Sequence, residues 1–433
     1  MITYSRLRMS ALGGVIVSLA MLVSPSATFA AGGWSPVVVI SASQPSPTAS
    51  SFAVNPVGNE LWVASPPVVG GYLVQVAQRS FGGTWSPQTT IWSVTNGFIT
   101  TPSGVSASLG ANNTASAAWL VGGSILIALR SASGIWQKPV TIATSGSGSA
   151  ALVAKSDAQG NGVAAWSEFT AAGSIVEAVT WTSSGAFGSV VQLSGLGQSE
   201  FLPDLAVNET GTAVVVWPQA TTFGGSSHQV LSATRPAGGS WSAATPVSSI
   251  IPQANSPRVA LDGSADATVV WEQSGTVDAA TRPVGGAWSS PALVETSSLA
   301  GPDSVVSDAS GNVTAAWAIN DPTTGAISIH AATRPARSSW GAPASLGPCA
   351  STCVPSLAAS RDGSIAVVGW SPSGPSVTAA VRLGLGTWSS TVVGSGSAKV
   401  TYLVAGNNAF ASAVWPVGIG VKYHVALKQS DYR

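Results

Sequence analysis

Three charged residues stand at the same place in successive segments of the chain, directly after a proline. The segments read Pro203-Asp204-Leu205, Pro257-Arg258-Val259 and Pro302-Asp303-Ser304. Each opens an apolar run typical of a β-strand, so we expect Asp204, Arg258 and Asp303 to lie side by side on neighbouring units. Two carboxylates and a guanidinium could bind a polar ligand. They could equally form a cluster that balances its own charge.

The longer loops between apolar runs carry further side chains suited to binding, as loops commonly do. These are Glu168, Phe169, Glu200, Phe201, Phe223, Asn320 and Asp321. Glu168 and Asp321 join the three residues above as the predicted ligand-binding set. Hydrolysis of a glycoside needs two carboxyl groups about 5 to 10 Å apart with shifted pKa values. The sequence does not bring such a pair together, so we assign no catalytic residue.

The cysteines and histidines indicate structural roles. Cys349 and Cys353 are four residues apart, and a local disulfide that pins one loop is the simplest interpretation in an exported protein. The three histidines, His228, His330 and His424, fall in different repeats. We therefore predict neither a metal site nor a cofactor.

The first 30 residues have the layout of a secretory signal. Arg6 and Arg8 precede a 13-residue apolar run, and Ala27-Thr28-Phe29-Ala30 forms a small-residue cleavage site. The run is shorter than the roughly 20 residues that span a bilayer. We expect residues 1–30 to be removed and residues 31–433 to be secreted as one domain without membrane insertion.

The charge content limits the possible partners. The chain has 17 basic and 17 acidic residues, and removal of Arg6 and Arg8 leaves 15 basic ones. Such a balance offers no electrostatic footprint for nucleic acid. Charged residues make up only 8% of the chain, against roughly 25% in ordinary globular proteins. Most strands are therefore expected to be buried on both faces.

Two series of aromatic residues recur at intervals of 45 to 57 residues, a period typical of propellers and solenoids. The first series is Trp34, Trp85, Trp136, Phe187, Trp241, Trp288, Trp340 and Trp388; the second is Trp62, Trp119, Trp166, Trp217, Trp271, Trp317, Trp370 and Trp415. Within each unit, four short apolar runs alternate with Gly, Pro, Asn and Ser clusters. The sequence predicts eight repeats of four strands, A to D. Tandem immunoglobulin-like domains would need about twice this period.

The C to D hairpin is the most regular part of the repeat. An arginine stands six residues before the aromatic residue in six copies, and a glycine usually stands two before it. We expect the arginine to stack on the indole and the glycine to adopt a left-handed conformation. Two residues before the arginine stands an alanine in nearly every copy, which indicates a closely packed neighbour.

The order of strands along the chain suggests a closed ring. The sequence after the signal begins with a D-type strand at Trp34 to Ile40, and the last repeat ends after its C strand without a D strand of its own. An open solenoid would carry polar capping repeats. We therefore predict an all-β, eight-bladed β-propeller of four-stranded blades, closed by pairing of the first strand in the last blade. Seven blades are the fallback.

The recurring Gly- and Trp-bearing hairpin resembles that of secreted bacterial β-propellers, distantly the sialidase-like superfamily. The resemblance covers residues 33–433 and implies the architecture. The superfamily's Asp-box would place aspartate five residues before the Trp, where this chain has Ser80, Ser131, Thr182, Pro236, Pro283, Pro335 and Leu383. The superfamily's sialidases also imply an arginine triad and a tyrosine with a glutamate partner, which we cannot assemble here.

These features favour a secreted, non-catalytic binding or surface-interaction protein, with a glycan or cell-envelope polymer as partner and a monomeric state. One alternative is a degenerate or unusual glycoside hydrolase or lyase that uses Asp204 or Asp303. A second alternative is a structural scaffold.

Overall fold

A computed structural model describes residues 34, 38–40, 49–95, 101–144, 149–171, 173–195, 202–220, 227–252, 254–296, 302–321, 323–349, 353–372, 376–395, 402–407, 410–417 and 424–431. The expected secretory signal lies outside these residues. The described residues are all-β, and no helix among them is long and apolar enough to cross a membrane.

The strands form eight antiparallel sheets, which we number I to VIII along the chain. The first strand of the described residues is β1 (Val38–Val39). Sheet I contains β2 (Ala49–Val54), β3 (Glu60–Ser65), β4 (Pro67–Val68), β5 (Gly71–Arg79) and β6 (Thr89–Val94). Sheet II contains β7 (Ser103–Leu109), β8 (Ala115–Val121), β9 (Ser124–Arg130) and β10 (Val140–Thr144). Sheet III contains β11 (Ser149–Ser156), β12 (Gly162–Thr170), β13 (Gly173–Trp181) and β14 (Val191–Gln192).

The central part of the chain continues in the same way. Sheet IV contains β15 (Asp204–Val207), β16 (Ala213–Ala220), β17 (Ser227–Arg235), β18 (Thr245–Pro246) and β19 (Ile251–Pro252). Sheet V contains β20 (Ala254–Leu261), β21 (Ala267–Gln273), β22 (Thr276–Arg282) and β23 (Ala292–Thr296). Sheet VI contains β24 (Pro302–Ser307), β25 (Val313–Asn320), β26 (Ile327–Arg334) and β27 (Ala344–Cys349).

The last two sheets complete the series. Sheet VII contains β28 (Ser356–Ala359), β29 (Ile365–Trp370), β30 (Ser376–Leu383) and β31 (Ser389–Ser395). Sheet VIII contains β32 (Tyr402–Gly406), β33 (Phe410–Val417) and β34 (His424–Asp431), with β1 as its fourth strand. Val38 pairs with Leu427 and Val39 with Ala426.

The first strands of consecutive sheets lie against one another. They contact in the order β2, β7, β11, β15, β20, β24, β28 and β32, and β32 also contacts β2. Apolar clusters fill the spaces between neighbouring sheets; one of them joins β3, β5, β8 and β9 around Trp119. The cores of the molecule therefore lie between sheets, not within a single layer.

The second tryptophan series lies in these inter-sheet cores, because the exposed fraction of each of the eight indoles is at most 3%. The small residues of the third strands are also buried, and Ala128, Ala233 and Ala380 have no exposed surface. On the opposite face of the same strands, Val230 and Val377 are equally buried. The prediction that the third strand is buried on both faces is confirmed.

Sheet I differs from its neighbours in register. Trp62 pairs with Ala77, two residues before Arg79, whereas Trp119 pairs with Leu126, four residues before Arg130. Trp62 therefore lies two residues nearer the start of β3 than Trp119 does in β8. This shift of two residues lengthens the interval from Trp62 to Trp119, which at 57 residues is the longest in the second tryptophan series.

The predicted stacking of arginine on tryptophan is present in three of the six hairpins that carry this pair. The guanidinium carbon lies 5.4 Å from the ring centroid for Arg79 on Trp85. The corresponding distances are 5.0 Å for Arg282 on Trp288 and 5.1 Å for Arg382 on Trp388. In sheet III, Trp181 takes the place of the arginine and its ring centroid lies 6.4 Å from that of Phe187.

The predicted conformation of the hairpin glycine is correct in only some copies. The glycine two residues before the aromatic ring has positive φ at Gly134 and Gly185. In sheet I the preceding Gly82 has positive φ instead: Gly83 N–H closes a four-residue turn on Ser80 C=O, and the third residue of this turn is left-handed, whereas in the equivalent turn of sheet II the fourth residue, Gly134, is. Gly238 and Gly285 behave in the same way.

The predicted disulfide is present. Cys349 and Cys353 are bonded, with Cα atoms 6.0 Å apart, directly after the fourth strand of sheet VI.

Candidate functional site

The predicted axial cluster is only partly assembled. Asp204 pairs with Val216 and Arg258 with Val270, so these two residues hold equivalent places on the first strands of sheets IV and V. In sheet VI the equivalent place belongs to Ser304, which pairs with Ala316, and Asp303 falls in a register shift one residue earlier. The shared proline therefore does not mark the same register in all three copies. The side chain of Asp303 lies outside the described part of the structure.

Asp204 joins two sheets. Its Oδ2 accepts a hydrogen bond of 2.9 Å from the backbone N–H of Val259 on the first strand of sheet V. Serine hydroxyls make the equivalent contact between other sheets. Ser51 Oγ accepts a hydrogen bond of 3.0 Å from Ala107 N, and Ser106 Oγ accepts one of 3.1 Å from Ala154 N. Arg258 donates from Nη1 to Pro257 C=O at 3.1 Å. Asp204 thus performs in sheet IV the linking role that serine performs elsewhere.

Glu168 lies beside a second carboxyl group that the sequence analysis did not single out. Trp166 pairs with Glu177 and Glu168 with Ile175, so Glu168 and Glu177 share one face of sheet III and are hydrogen-bonded to each other. Burial raises the pKa of Glu177 to about 7, and the hydrogen bond and negative charge of Glu168 add to the rise. The indole N–H of Trp166 donates a hydrogen bond of 3.1 Å to Glu177, and this bond opposes the rise in the pKa of Glu177.

Asp321 is an exposed turn residue. Its Oδ1 accepts hydrogen bonds from Thr323 N at 2.8 Å and Thr324 N at 3.1 Å. These backbone donors hold the pKa of Asp321 below its usual range. The carboxylate thus stabilises its own loop, which is a common role for aspartate before a tight turn.

Other titratable groups contact partners across sheets. His330 on β26 lies 3.0 Å from Glu295 on β23, measured from Nδ1 to Oε2. Within the ranges described above, no group of three or more His, Cys, Asp or Glu side chains could hold a metal ion.

The structure contains two grooves that the sequence did not reveal. The first, which we call groove I–II, has a volume of about 430 Å³ and lies between the fourth strand of sheet I and the last hairpin of sheet II. Its lining includes Gln78, Thr90, Trp136, Gln137 and Lys138. The second, groove III–IV, has a volume of about 460 Å³, and its lining includes Asp157, Asn161, Trp181, Phe187 and Arg235.

Both grooves combine an aromatic wall with hydrogen-bonding groups. Trp136 and Phe187 are half-buried, so each ring packs on the core with one side and faces the groove with the other. In groove I–II, Gln137 and Lys138 are exposed, and Oε1 of Gln78 is buried without a hydrogen-bond partner among the described residues. An aromatic ring beside amide, hydroxyl and ammonium groups suits a ligand with both apolar C–H faces and hydroxyl groups.

Comparison with solved structures gives the fold class. The chain is similar to the BP39L lectin from Burkholderia pseudomallei, with a TM-score of 0.55 and 15% identity, over 82% of this chain and 100% of that one. A PL25 ulvan lyase aligns with a TM-score of 0.49 and 8% identity over 73% of this chain and 90% of the lyase. The six-bladed β-propeller lectin of Aleuria aurantia aligns with a TM-score of 0.36 and 15% identity, over 70% and 97% of the two chains.

At these identities the likeness extends to the fold alone. It defines the chain as an all-β protein of β-propeller-like architecture. No protein-family model matches the sequence, and a search of curated proteins finds no significant match.

Proposed function

We propose that this chain is a secreted, non-catalytic carbohydrate-binding protein built on a closed eight-bladed β-propeller. In this proposal residues 1–30 are the cleaved signal, residues 31–433 form the single domain, and a glycan or envelope polymer is the partner of the monomer. Each numbered sheet corresponds to one blade.

Three contacts at the junction of the first and last sheets support closure of the ring. β1 pairs with β34, so an early segment completes sheet VIII. β32 contacts β2 of sheet I. The hydroxyl of Ser412 in sheet VIII donates to the buried carboxylate of Glu60 in sheet I, and Arg79 forms an ion pair with the same carboxylate.

The observation that carries the binding proposal is the aromatic wall of the inter-sheet grooves. The aromatic residue that precedes the fourth strand is half-buried in every sheet. In groove I–II this ring stands beside Gln137 and Lys138, whose N–H groups can donate to sugar hydroxyls. The likeness to a lectin is consistent with this chemistry, although it bears on the fold only.

The test is a glycan array followed by calorimetric titration of the best ligand. We expect Lys138→Ala and Gln137→Ala, which alter exposed groups, to weaken binding at groove I–II by about tenfold each, because each loses a charged or polar hydrogen bond. Ile135→Ala is the matched control, since Ile135 is exposed next to Trp136 but does not line the groove. Absence of binding to any glycan, or equal binding by all three variants, would contradict the proposal.

One observation favours a hydrolase or lyase as the second candidate. Glu168 and Glu177 form a carboxyl pair in which burial and the second carboxyl group raise the pKa of Glu177 to about 7, near the working range of a general acid. Turnover of a polysaccharide that is lost in Glu177→Gln would support this candidate. Loss of turnover in Asp204→Asn or Asp303→Asn would instead support Asp204 or Asp303, the residues that the sequence suggests for a hydrolase or lyase.

A further inference from the structure

A small pocket lies where the turns between first and second strands meet, and we call it the axial pocket. All eight sheets contribute to its lining, and its volume is about 250 Å³. This volume is below the roughly 300 to 1,000 Å³ of sites for drug-sized ligands. The axial pocket therefore has room for one small molecule, not for a chain of sugars.

The turns that border the axial pocket have one position that can be compared across the sheets. The five-residue turn has the same pattern in sheets I to VII, with the first residue's C=O accepting a hydrogen bond from the N–H of the fourth residue, as in Asn208 and Gly211. The second residue is Pro56, Ala111, Ala158, Glu209, Gly263, Ala309, Arg361 and Asn407 in sheets I to VIII. Alanine suffices for this position in three sheets. The turn itself therefore has no need of the charges of Glu209 and Arg361.

Glu209 and Arg361 face each other across the axial pocket. They belong to sheets IV and VII, and the guanidinium Nε forms an ion pair with Glu209 Oε1. The exposed fractions of the two side chains are 34% and 32%. A pair this exposed contributes little to stability, so it can share its hydrogen bonds with a ligand at small cost.

The third charged residue of the lining, Asp157, already has hydrogen-bond partners within its own turn. Asp157 is 5% exposed, and its Oδ1 accepts from Gln159 N at 2.9 Å and Asn161 N at 2.8 Å. Its Oδ2 accepts from the side-chain amide of Asn161 at 2.8 Å. Glu209 Oε2 and the terminal guanidinium nitrogens of Arg361 have no such partners among the described residues. They are the groups that remain for a ligand.

Hydrogen bonds between neighbouring turns fix the rim of the axial pocket. Ala111 N donates to Ala158 C=O at 3.0 Å, and Ala309 N donates to Arg361 C=O at 2.8 Å. Asp362 N donates to the side-chain carbonyl of Asn407 at 3.2 Å. Because the backbone that carries the charged pair is held in place, a ligand would not have to order it.

We propose that the axial pocket binds a single neutral sugar ring, with Arg361 donating to one hydroxyl group and Glu209 accepting from its neighbour. The two charges cancel, which disfavours a strongly charged ligand. Two hydroxyl groups on adjacent carbons of a sugar ring offer one oxygen that can accept from Arg361 and one O–H that can donate to Glu209. This inference rests on the proposed carbohydrate-binding function but assigns a binding site separate from the inter-sheet grooves.

The test is titration of the ¹⁵N-labelled chain with methyl β-D-galactopyranoside and methyl α-D-mannopyranoside, followed by backbone amide shifts. We expect one of the two to shift the rim amides of Ala111, Ala158 and Ala309. The double variant Glu209→Ala/Arg361→Ala should weaken that binding at least tenfold. It should keep the wild-type melting temperature within a few degrees, because alanine already occupies this turn position in three sheets.

The matched control is Glu295→Gln, which removes a partly buried charge on sheet V outside the axial pocket. Unchanged rim shifts and affinity in the double-alanine variant would overturn the inference. Shifts confined to Thr90 and Gln137 would also overturn it while leaving the proposed function intact. If neither region shifts and the glycan array is also negative, both proposals fail.

Discussion

Asp204 and Ser106 show how different side chains can serve one position of a repeat. Both accept a hydrogen bond from the backbone N–H of the next sheet, at 2.9 Å from Val259 and 3.1 Å from Ala154. The sequence predicted a ligand-binding role for Asp204 because charged residues are few in this chain. Its observed contact requires only an oxygen acceptor, which the hydroxyl of serine also provides.

The carboxyl pair of sheet III predicts a pH dependence of stability. The pKa of Glu177 is raised from 4.5 to about 7 in the folded chain. The folded state therefore binds more protons than the unfolded state between these values, and the contribution of Glu177 to stability is present below pH 4.5 and lost as the pH rises through about 7. We expect Glu177→Gln to flatten the fall in melting temperature between pH 5 and pH 8.

Glutamine is a suitable replacement because its side-chain carbonyl can still accept the Trp166 indole N–H. Glu209→Gln, at an exposed ion pair, serves as the control and should leave the pH dependence of the wild type in place. A Glu177→Gln profile that runs parallel to the wild-type profile would show that this carboxyl group does not titrate in the window.

At the scale of elements, the hairpin between third and fourth strands also links neighbouring sheets. Arg382 stacks on Trp388 within sheet VII, and its Nη2 donates to Thr314 Oγ1 in sheet VI at 2.9 Å. A further bond joins Nη1 to Thr333 Oγ1. The arginine is 6% exposed, so these contacts are shielded from water. One side chain thus orders its own hairpin and ties it to the preceding sheet.

We predict that Arg382→Met lowers the free energy of unfolding by about 2 to 4 kcal/mol. The loss combines charge-assisted hydrogen bonds with the cation–π contact, and methionine retains only the apolar packing. Urea denaturation followed by tryptophan fluorescence measures the change. Arg337→Met alters an exposed residue at the tip of a similar hairpin and should cost less than about 0.5 kcal/mol. Equal costs for the two variants would mean that the buried contacts of Arg382 contribute nothing.

At the scale of the whole molecule, the arrangement depends on how the two ends of the described chain meet. The last sheet takes its fourth strand from β1, and the carboxylate of Glu60 accepts the hydroxyl of Ser412 across the junction. Burial raises the pKa of Glu60, while Arg79 opposes the rise. A carboxyl group with no exposed surface therefore lies at the junction of the first and last sheets, where it depends on both for its partners.

We predict that deletion of residues 34–40 causes aggregation or unfolding. The deletion leaves β34 as an open sheet edge, and unpaired strand edges promote association between chains. Size-exclusion chromatography and thermal unfolding measure the effect, and deletion of residues 1–30 alone is the control. A monomer with unchanged melting temperature after loss of 34–40 would argue against closure of the ring by this strand.

The sequence by itself determined the repeated elements. The aromatic spacing predicted eight units, the arginine six residues before the aromatic ring predicted the stacked hairpin, and the small residues of the third strand predicted burial on both faces. Such features follow from short-range spacing, because alternation along a strand and the geometry of a tight hairpin depend on residues close in the chain. Even here the glycine conformation varied, since the four-residue turns of these hairpins have their left-handed residue at the third position in some copies and at the fourth in others.

Only the tertiary structure decided which side chains meet. Glu177 acquires its raised pKa from burial between sheets and from Glu168 on the adjacent strand. Glu209 meets Arg361 because sheets IV and VII both direct a turn into the axial pocket. The inter-sheet grooves likewise depend on how two sheets pack. The repeat places Glu209 and Arg361 at the same position of their turns, but it does not say which turns meet, so the packing of complete sheets had to be known before the candidate sites could be recognised.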